Sequence, residues 1–237
     1  VGMPGVLSPA TGLVKNANAV FLNGRRLDED LQRLLGRSIK FENDANCFAL
    51  SEARDGAGQA SRVVFGVILG TGIGGGIVVD GRVWSGRNAI AGEWGHNPLP
   101  WRLPSECPGP SCYCGREGCI ETFLSGHGLM DDHQERTGQK LEPAQIVRSA
   151  RDGDTASETT LDRYDQRLAR SLASVINTLD PDVIVLGGGL SNVARLYTTV
   201  PRLWTSYVFS DQVTTKLVPP VHGDSSGVRG AAWLWET

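Results

Sequence analysis

The sequence predicts a mixed α/β fold, in which helices pack on a sheet that contains both parallel and antiparallel strands. Helical and β-branched patterns alternate along the chain, and the longest helical pattern covers residues 155–179. The run 182–186 is apolar after its first residue, which is typical of a buried parallel strand. Residues 63–84 instead form a hairpin pattern around Asp80 and Gly81, so this part of the sheet is expected to be antiparallel.

Local signals place each element in chain order. Extended segments and turns over 6–24 come first, followed by a short amphipathic helix over 28–35 with Leu27, Leu31, Leu34 and Leu35 on one face. A short strand over 38–41 leads into a helix that Asn43 or Asp44 caps and that ends near residue 57. The remaining predicted elements are strands over 63–69, 77–79 and 82–84, a loop-rich insert over 86–122, helices over 143–152 and 155–179, a strand over 182–186, a helix over 192–208, a strand over 213–218 and a helix over 227–236.

The composition narrows the class of protein. Of the 237 residues, 40% are hydrophobic and 21% are charged, which excludes disorder as the overall state. The formal net charge of -3 argues against nucleic acid or an anionic membrane as a partner. The longest uncharged run, over 63–79, is too short and too rich in glycine to span a bilayer. Five cysteines, four of them within residues 107–119, predict a reducing, cytoplasmic protein with a metal site rather than a disulfide framework.

Two glycine runs are candidates for phosphate binding. Gly70, Gly72 and Gly75 satisfy the dinucleotide spacing G-x-G-x-x-G, but a strand follows them where that motif requires a helix. The run is therefore either a plain glycine-rich hairpin or a nest of backbone N–H groups, to which the Thr71 hydroxyl adds a donor. A second run, over 187–189, ends a buried strand and serves either ligand binding or close packing. Two such runs in one chain favour a nucleotide.

A cluster of cysteines and one histidine predicts a zinc site. Cys112, Cys114 and Cys119 form a C-x-C-x4-C pattern, and His96 lies sixteen residues before the first of them. Three thiolates and one imidazole complete a closed tetrahedral site, so the zinc is expected to be structural. The alternatives are three free thiols, or Cys107 in place of His96.

Several carboxylates are candidates for sugar chemistry. Asp44 is explained as a helix cap, or it is a general base for a hydroxyl group with Asn43 as an orienting amide. Glu93 precedes His96 by three residues and Glu121 follows Cys119 by two, so a bound zinc ion is expected to bring the two acids together. Paired carboxylates with an Asn amide suit vicinal hydroxyls, although either acid is also explained as a solvated surface group.

These motifs together resemble the ROK family of bacterial sugar kinases, repressors and uncharacterised open reading frames. The resemblance rests on Glu93-Trp-Gly-His96, on Cys112 to Glu121, and on the runs 42–46 and 69–76. The runs 91–100 and 222–235 look most like bacterial ROK fructokinases. The resemblance implies a ribonuclease H-like, actin-type ATPase fold and an ATP-dependent transfer to a hexose, with fructose as the expected substrate. The alternatives are glucose, mannose or an N-acetylhexosamine as substrate, a sugar-binding regulator, or an inactive truncated protein.

The resemblance also implies a role for individual residues. Asp44 is expected to be the catalytic base, and Mg2+ is expected to accompany ATP in a homodimeric enzyme. The implied sugar-site residues are Gly5, Asn18, Asn43, Glu93, His96 and Glu121, the implied ATP-site residues are Gly70, Thr71, Gly72, Gly74, Gly188 and Gly189, and the implied zinc ligands are His96, Cys112, Cys114 and Cys119.

The resemblance covers essentially the whole chain with one departure. Family members open with a strand and an Asp-x-Gly-Gly-Thr-Lys loop that holds Mg-ATP, and this sequence contains no such motif. The expected organisation is therefore the remainder of a small N-terminal domain over 1–60, with its first part missing, and a large domain over 61–222 with a zinc-binding insert over 93–122. Residues 223–237 are expected to form a helix that returns to the small domain.

Overall fold

Short paired strands open the chain in this computed structural model, which describes residues 1–17 and 19–236. Strand β1 (Gly2–Met3) pairs in parallel with β4 (Glu42–Asn43), and β2 (Val6–Leu7) pairs antiparallel with β3 (Val14–Lys15). Helix α1 (Leu27–Leu35) lies between β3 and β4 in the sequence, and α2 (Asp44–Asp55) follows β4 directly. The strand predicted over 38–41 is thus shorter and later than expected.

A five-stranded mixed sheet forms the centre of the molecule, as predicted. Its order is β7–β6–β5–β8–β9, with antiparallel pairing between β5, β6 and β7 and parallel pairing between β5, β8 and β9. The strands are β5 (Val63–Leu69), β6 (Ile73–Val79), β7 (Arg82–Val83), β8 (Val183–Gly187) and β9 (Lys216–Val218). Strand β6 begins four residues earlier than predicted, because the glycines at 74–76 belong to the strand.

The remaining helices follow the hairpin and the loop-rich insert. They are α3 (Ile120–Leu124), α4 (Gly126–Thr137), α5 (Pro143–Arg151), α6 (Thr155–Leu179), α7 (Leu196–Trp204) and α8 (Ser226–Trp233). Helices α3 and α4 were not predicted, and α7 is shorter than the helix predicted over 192–208. None of the helices in the described ranges has the length and low polarity needed to cross a membrane.

The two faces of the sheet bury different helices, because side chains alternate along each strand. On one face, Phe65 and Leu69 of β5 pack with Leu168 and Leu172 of α6 in the larger core. On the other face, residues such as Val64 pack with α2 and α8. The result is a layer of helices on each side of a central sheet.

Helix α2 approaches the sheet at a distance that only glycine permits. A Cβ atom added to Gly66 would lie 2.7 Å from the Cβ atom of Ala49, and one added to Gly76 would overlap the Ala45 carbonyl. Such overlaps cannot be relieved by a rotamer change, because backbone and first side-chain atoms are involved. The sequence of small residues therefore fixes where α2 sits.

Helix α8 covers the opposite side of α2 with similar closeness. A Cβ atom at Gly230 would overlap the Cys47 carbonyl, and Gly2 of β1 also lies against the Cys47 side chain. In contrast, the predicted apolar face of α1 is only partly covered. Leu27 packs against the small cluster of Met3, Val14 and Ala17, whereas Leu34 and Leu35 are 79% and 59% exposed. Helix α1 contains no buried residue, so its leucine pattern indicated a helix but not a core position.

Candidate active site

The two predicted glycine loops open onto one cavity. This cavity has a volume of about 590 Å3 and lies between the ends of β5 and β8 and the starts of α4 and α5. Gly70 and Thr71 contribute one side, and Gly189 contributes another. The other residues along its wall are Leu69, Gly126, His127, Met130, Glu142, Pro143, Ala144, Val147, Leu190, Asn192 and Val193. A largely apolar wall next to exposed backbone suits a base and its phosphates.

Other predicted phosphate-binding glycines have a packing role in the structure. Gly188 has a φ of 78°, and a Cβ atom there would lie 2.5 Å from the Leu69 carbonyl oxygen. A Cβ atom at Gly74 would lie 3.1 Å from that of Ala45, because Gly74 is part of β6. Gly72, Gly74 and Gly188 are not among the residues described along the cavity wall, so their part in the ATP site stays a prediction.

Helices α4 and α5 supply the part of the cavity that sequence reasoning missed. The Ser125 hydroxyl caps α4 by accepting a hydrogen bond from the Gly128 N–H, and the Gly126 N–H donates to the Gly70 carbonyl at 2.8 Å. Gly126 and Gly128 weakened the helical pattern of α4, since glycine disfavours helix interiors. The sequence signal for the start of α4 was Ser125, a residue that can cap a helix, and the signal for the start of α5 was Pro143.

Asn43, rather than Asp44, caps helix α2 through its side chain. The Asn43 Oδ1 atom accepts hydrogen bonds from the N–H groups of Ala45 at 2.9 Å and Asn46 at 3.3 Å. The Asp44 carboxylate accepts from the same Ala45 N–H, and burial by the surrounding protein raises its pKa against the effect of that bond. Although much of the residue is exposed, its carboxylate is thus partly desolvated.

The carboxylate of Glu93 is affected by the charges of two other acids, Asp44 and Glu121. Burial raises the pKa of Glu93, and the negative charges of Asp44 and Glu121 raise it further, while His96 and Lys15 act in the opposite direction. The charges of Asp44 and Glu121 therefore reach Glu93, and a shared sugar site formed by the three acids stays a prediction. Their side chains can accept hydrogen bonds from several hydroxyl groups of a polyol.

Glu121 connects this acidic region to the turn between β5 and β6. Its Oε2 atom accepts a hydrogen bond from the Ile73 N–H at 2.9 Å, and a Cβ atom at Gly72 would lie 2.7 Å from the same oxygen. The glycine at this position therefore leaves room for the carboxylate. The turn that opens onto the cavity and the acid of the candidate sugar site form one connected unit.

His96, Cys112, Cys114 and Cys119 form a group whose ligand atoms all lie within 4.8 Å of one another. The His96 Nδ1 atom is 3.5 Å from the Cys112 Sγ atom, and the Sγ atoms of Cys114 and Cys119 are 3.6 Å apart. Bond lengths of about 2.3 Å to sulfur and about 2.0 Å to nitrogen place tetrahedral ligands roughly 3.5–3.8 Å apart. The donor set and both separations therefore fit a zinc ion. Cys107 is exposed and lies outside this group, so the alternative that placed it there is not supported.

Tyr113, which the sequence reasoning did not select, lies against the outer side of the His96 ring. Its hydroxyl is 2.9 Å from His96 Nε2, and the two rings meet edge to face with their centroids 5.1 Å apart. Partial burial raises the pKa of this hydroxyl to about 12, and the charge of Glu121 contributes to the increase. The position of Tyr113 inside the C-x-C motif was the only available signal.

Buried ion pairs hold the insert against the large core. Glu106 receives hydrogen bonds from Arg167 at 2.9 Å and from Arg170 at 2.8 and 2.9 Å. Both arginines belong to α6, and Arg167 also bonds Asp132 of α4 at 2.9 Å. Burial alone would raise the pKa of Glu106, but these arginines and the Leu103 N–H lower it to about 2. The insert that contains His96 is thus fixed to α6 by charge, and α6 is joined to α4 in the same way.

The two N-terminal residues predicted for the sugar site have different outcomes. Gly5 is buried with a φ of 96°, and a Cβ atom there would lie 2.7 Å from the Lys15 carbonyl oxygen, so the fold itself requires glycine. Asn18 lies outside the described residues. The positive charge of Lys15 lowers the pKa of Glu93, so the N-terminal segment affects this acid electrostatically.

Comparison with known proteins supports the resemblance seen in the sequence. The model of the ROK family matches residues 1–237. The N-acetyl-D-glucosamine kinase of Vibrio atlanticus is 41% identical over 238 residues, covering 99% of this chain and 79% of the relative. That of Photobacterium profundum is 42% identical over 238 residues, covering 99% and 78%. These relatives are named for N-acetyl-D-glucosamine rather than for the fructose that the sequence predicted.

Solved structures with the same architecture include enzymes and a regulator. The ROK hexokinase of Thermus thermophilus superposes with a TM-score of 0.84 at 31% identity, over 98% of this chain and 76% of that one. A ROK glucokinase of Streptomyces griseus, solved with glucose and AMPPNP, gives 0.84 at 26% identity over 98% and 79%. A ROK transcriptional regulator gives 0.81 at 26% over 99% and 60%. The predicted actin-like ATPase fold is thereby confirmed.

Proposed function

Because the chain belongs to the ROK family, we propose that it acts as an ATP-dependent sugar kinase and that its sugar is an N-acetylhexosamine. N-acetyl-D-glucosamine is the first candidate, since the relatives described above carry that name. The observation that carries the proposal is the position of Asp44. Ala45, the residue that follows Asp44, packs against Gly74 of β6, just after the turn that opens onto the cavity.

In the proposed reaction, Asp44 accepts the proton of the sugar hydroxyl that attacks the terminal phosphate of ATP. The cavity between the glycine loops holds the nucleotide, with its base against the apolar wall and its phosphates toward Gly70 and Thr71. Mg2+ bound with ATP supplies charge neutralisation to the phosphates. Positioning of the two substrates by the protein provides most of the remaining rate enhancement.

The sugar in this proposal lies among Glu93, His96 and Glu121, with Gly5 and Asn43 at its edge. The carboxylates accept hydrogen bonds from its hydroxyl groups and thereby orient one hydroxyl toward Asp44. We place the domain boundaries after residues 60 and 222, with residues 223–237 joining the first part. Closure of the two parts would exclude water from the transfer.

We also propose that His96, Cys112, Cys114 and Cys119 hold a structural zinc ion. Four protein ligands leave no open position, so the ion has no direct part in the chemistry. Its contribution is to fix the backbone at His96, shortly after Glu93, and at Cys119, shortly before Glu121. The homodimer and the cytoplasmic location expected from the sequence stay predictions.

The proposal is tested by coupled ADP-release assays of the purified protein with a panel of hexoses and N-acetylhexosamines. We expect N-acetyl-D-glucosamine to give the highest kcat/KM, and Asp44→Asn to lower kcat by about 10^2- to 10^4-fold. Asp80→Asn, at an exposed turn, is the matched control and should retain activity. Because the pKa of Asp44 is raised, kcat/KM should fall with decreasing pH before an ordinary aspartate would be protonated.

Three outcomes would change the proposal. No ADP release with any sugar would reject the kinase function, and sugar binding without ADP release would favour a regulator. A higher kcat/KM for fructose than for N-acetyl-D-glucosamine would restore the substrate that the sequence predicted. Full activity of the Asp44→Asn variant would remove Asp44 from its role as the base.

A further inference from the structure

Tyr113 projects from a hydrogen-bonded turn of the insert. The flanking Cys112 and Cys114 belong to the proposed zinc site, and backbone hydrogen bonds of Cys112 to Arg116 and Gly115 close the loop around it. The side chain of Tyr113 is nevertheless 77% exposed. An exposed aromatic side chain on a fixed backbone, in contact with a residue of the candidate sugar site, is well placed to meet a ligand.

The contact with His96 determines where the Tyr113 hydroxyl proton can point. The Nδ1 atom of His96 faces the Cys112 thiol, and the Nε2 atom faces the Tyr113 oxygen. When Nδ1 binds a metal ion, Nε2 carries the ring proton and donates it to the tyrosine oxygen. The hydroxyl proton of Tyr113 is then free to be donated to another acceptor.

The residues of the site follow one another in an order that places a sugar. Ala45, which follows Asp44, packs on Gly74, and the neighbouring Ile73 N–H donates to Glu121. Glu121 lies two residues after Cys119, which is grouped with His96, and His96 in turn contacts Tyr113. A sugar whose attacking hydroxyl faces Asp44 therefore presents its opposite side to His96 and Tyr113. In an N-acetylhexosamine phosphorylated on its primary hydroxyl, that opposite side includes the 2-acetamido group.

An acetamido group requires a hydrogen-bond donor that the carboxylates cannot supply. Ionised Glu93 and Glu121 are acceptors only, so they suit sugar hydroxyls but not the acetyl carbonyl oxygen. Tyr113 offers a hydroxyl donor together with the apolar face of its ring, against which the acetyl methyl group can pack. We propose that Tyr113 determines specificity by donating a hydrogen bond to the acetamido carbonyl. This inference depends on the proposed function, because it uses the orientation of the sugar toward Asp44.

The experiment compares two proteins and two sugars by calorimetry without ATP. The wild-type protein and Tyr113→Phe are each titrated with N-acetyl-D-glucosamine and with glucose. Loss of one neutral hydrogen bond is expected to weaken binding of N-acetyl-D-glucosamine by about 3- to 10-fold and to leave glucose binding within about 2-fold. Tyr207→Phe is the matched control, because that ring packs on Trp101 rather than on His96. Zinc content is measured for each protein.

The possible results separate this inference from the function on which it depends. If both sugars lose affinity equally, Tyr113 only positions His96, and the inference is overturned. It is also overturned if Tyr113→Phe loses zinc, or if the variant binds N-acetyl-D-glucosamine as the wild type does. The proposed function fails instead when the wild-type protein neither binds nor phosphorylates N-acetyl-D-glucosamine, whatever the variant does.

Discussion

Helix α2 and the insert over 93–122 both carry candidate catalytic or sugar-binding residues, but different forces hold them in place. Helix α2 is enclosed by backbone on two sides, with Gly76 beneath it and Gly230 above it. The insert contains little regular structure and is fixed by a Cys/His group and by buried arginine–carboxylate pairs. One region depends on close packing, and the other depends on charge and metal ligation.

The difference indicates how each region responds to change. Close packing depends on volume, so it should be insensitive to pH and chelators but highly sensitive to a single added methyl group. Ligation and ion pairing tolerate changes of volume at the surface but depend on protonation and on metal supply. Three predictions test this contrast.

The largest effect is expected at the proposed zinc site. Cys114→Ser should reduce bound zinc from about one ion per chain to nearly none, with a loss of more than about 5 kcal/mol of metal-linked stability. Zinc content by mass spectrometry and Tm measured with and without a chelator would check this. Cys107→Ser is the matched control, since Cys107 is also exposed but lies outside the group. Equal zinc content in the two variants would contradict the assignment.

The second effect concerns the contact between α8 and α2. Gly230→Ala places a methyl group against the Cys47 carbonyl and should lower the free energy of unfolding by more than about 3 kcal/mol. Gly227→Ala, in the same helix, meets no atom within 4 Å and should be neutral or slightly stabilising. Urea unfolding of both variants measures the difference. Similar stabilities would show that α8 does not depend on this close contact.

The smallest of the three effects concerns Glu106. Glu106→Gln should lower the free energy of unfolding by about 2–3 kcal/mol, because buried Arg170 loses its charged partner and buried Arg167 keeps only Asp132. The wild-type pKa of about 2 lies below the ordinary value of 4.5, so this carboxylate stabilises the fold above pH 4.5 and its contribution is lost as the pH falls toward 2.

Urea unfolding between pH 7 and pH 3 compares Glu106→Gln with Glu135→Gln, a control at an exposed site. The stability difference should be largest at pH 7 and should narrow toward pH 3. A difference that does not change with pH would mean that the charge of Glu106 has no part in the effect.

The sequence predicted the fold well where one local signal dominated. The antiparallel hairpin, the long helix α6 and the parallel strand β8 follow from periodicity and turn residues alone. Helix α4 escaped prediction because Gly126 and Gly128 lie in its first turn, where tertiary packing outweighs helix propensity. The exposure of Leu34 and Leu35 could not be read from their spacing, which specifies a face but not what covers it.

For the candidate site, spacing was informative only when the ligand chemistry is strict. The Cys/His pattern predicted a group that the structure brings together, because tetrahedral ligation allows few alternatives. The glycine runs were ambiguous, since a phosphate loop and a close helix contact both exclude a Cβ atom. Tyr113 carried no distinguishing pattern, and its contact with His96 emerges only from the folding of the insert.

The enclosure of α2 also has a consequence for sequence change. Asp44 is the first residue of a helix that can neither slide nor rotate past Gly66, Gly76 and Gly230. Apolar side chains around the helix can therefore be exchanged over many generations while the carboxylate keeps its position. Selection on the proposed chemistry would therefore act on these glycines as well as on the residues that contact the sugar.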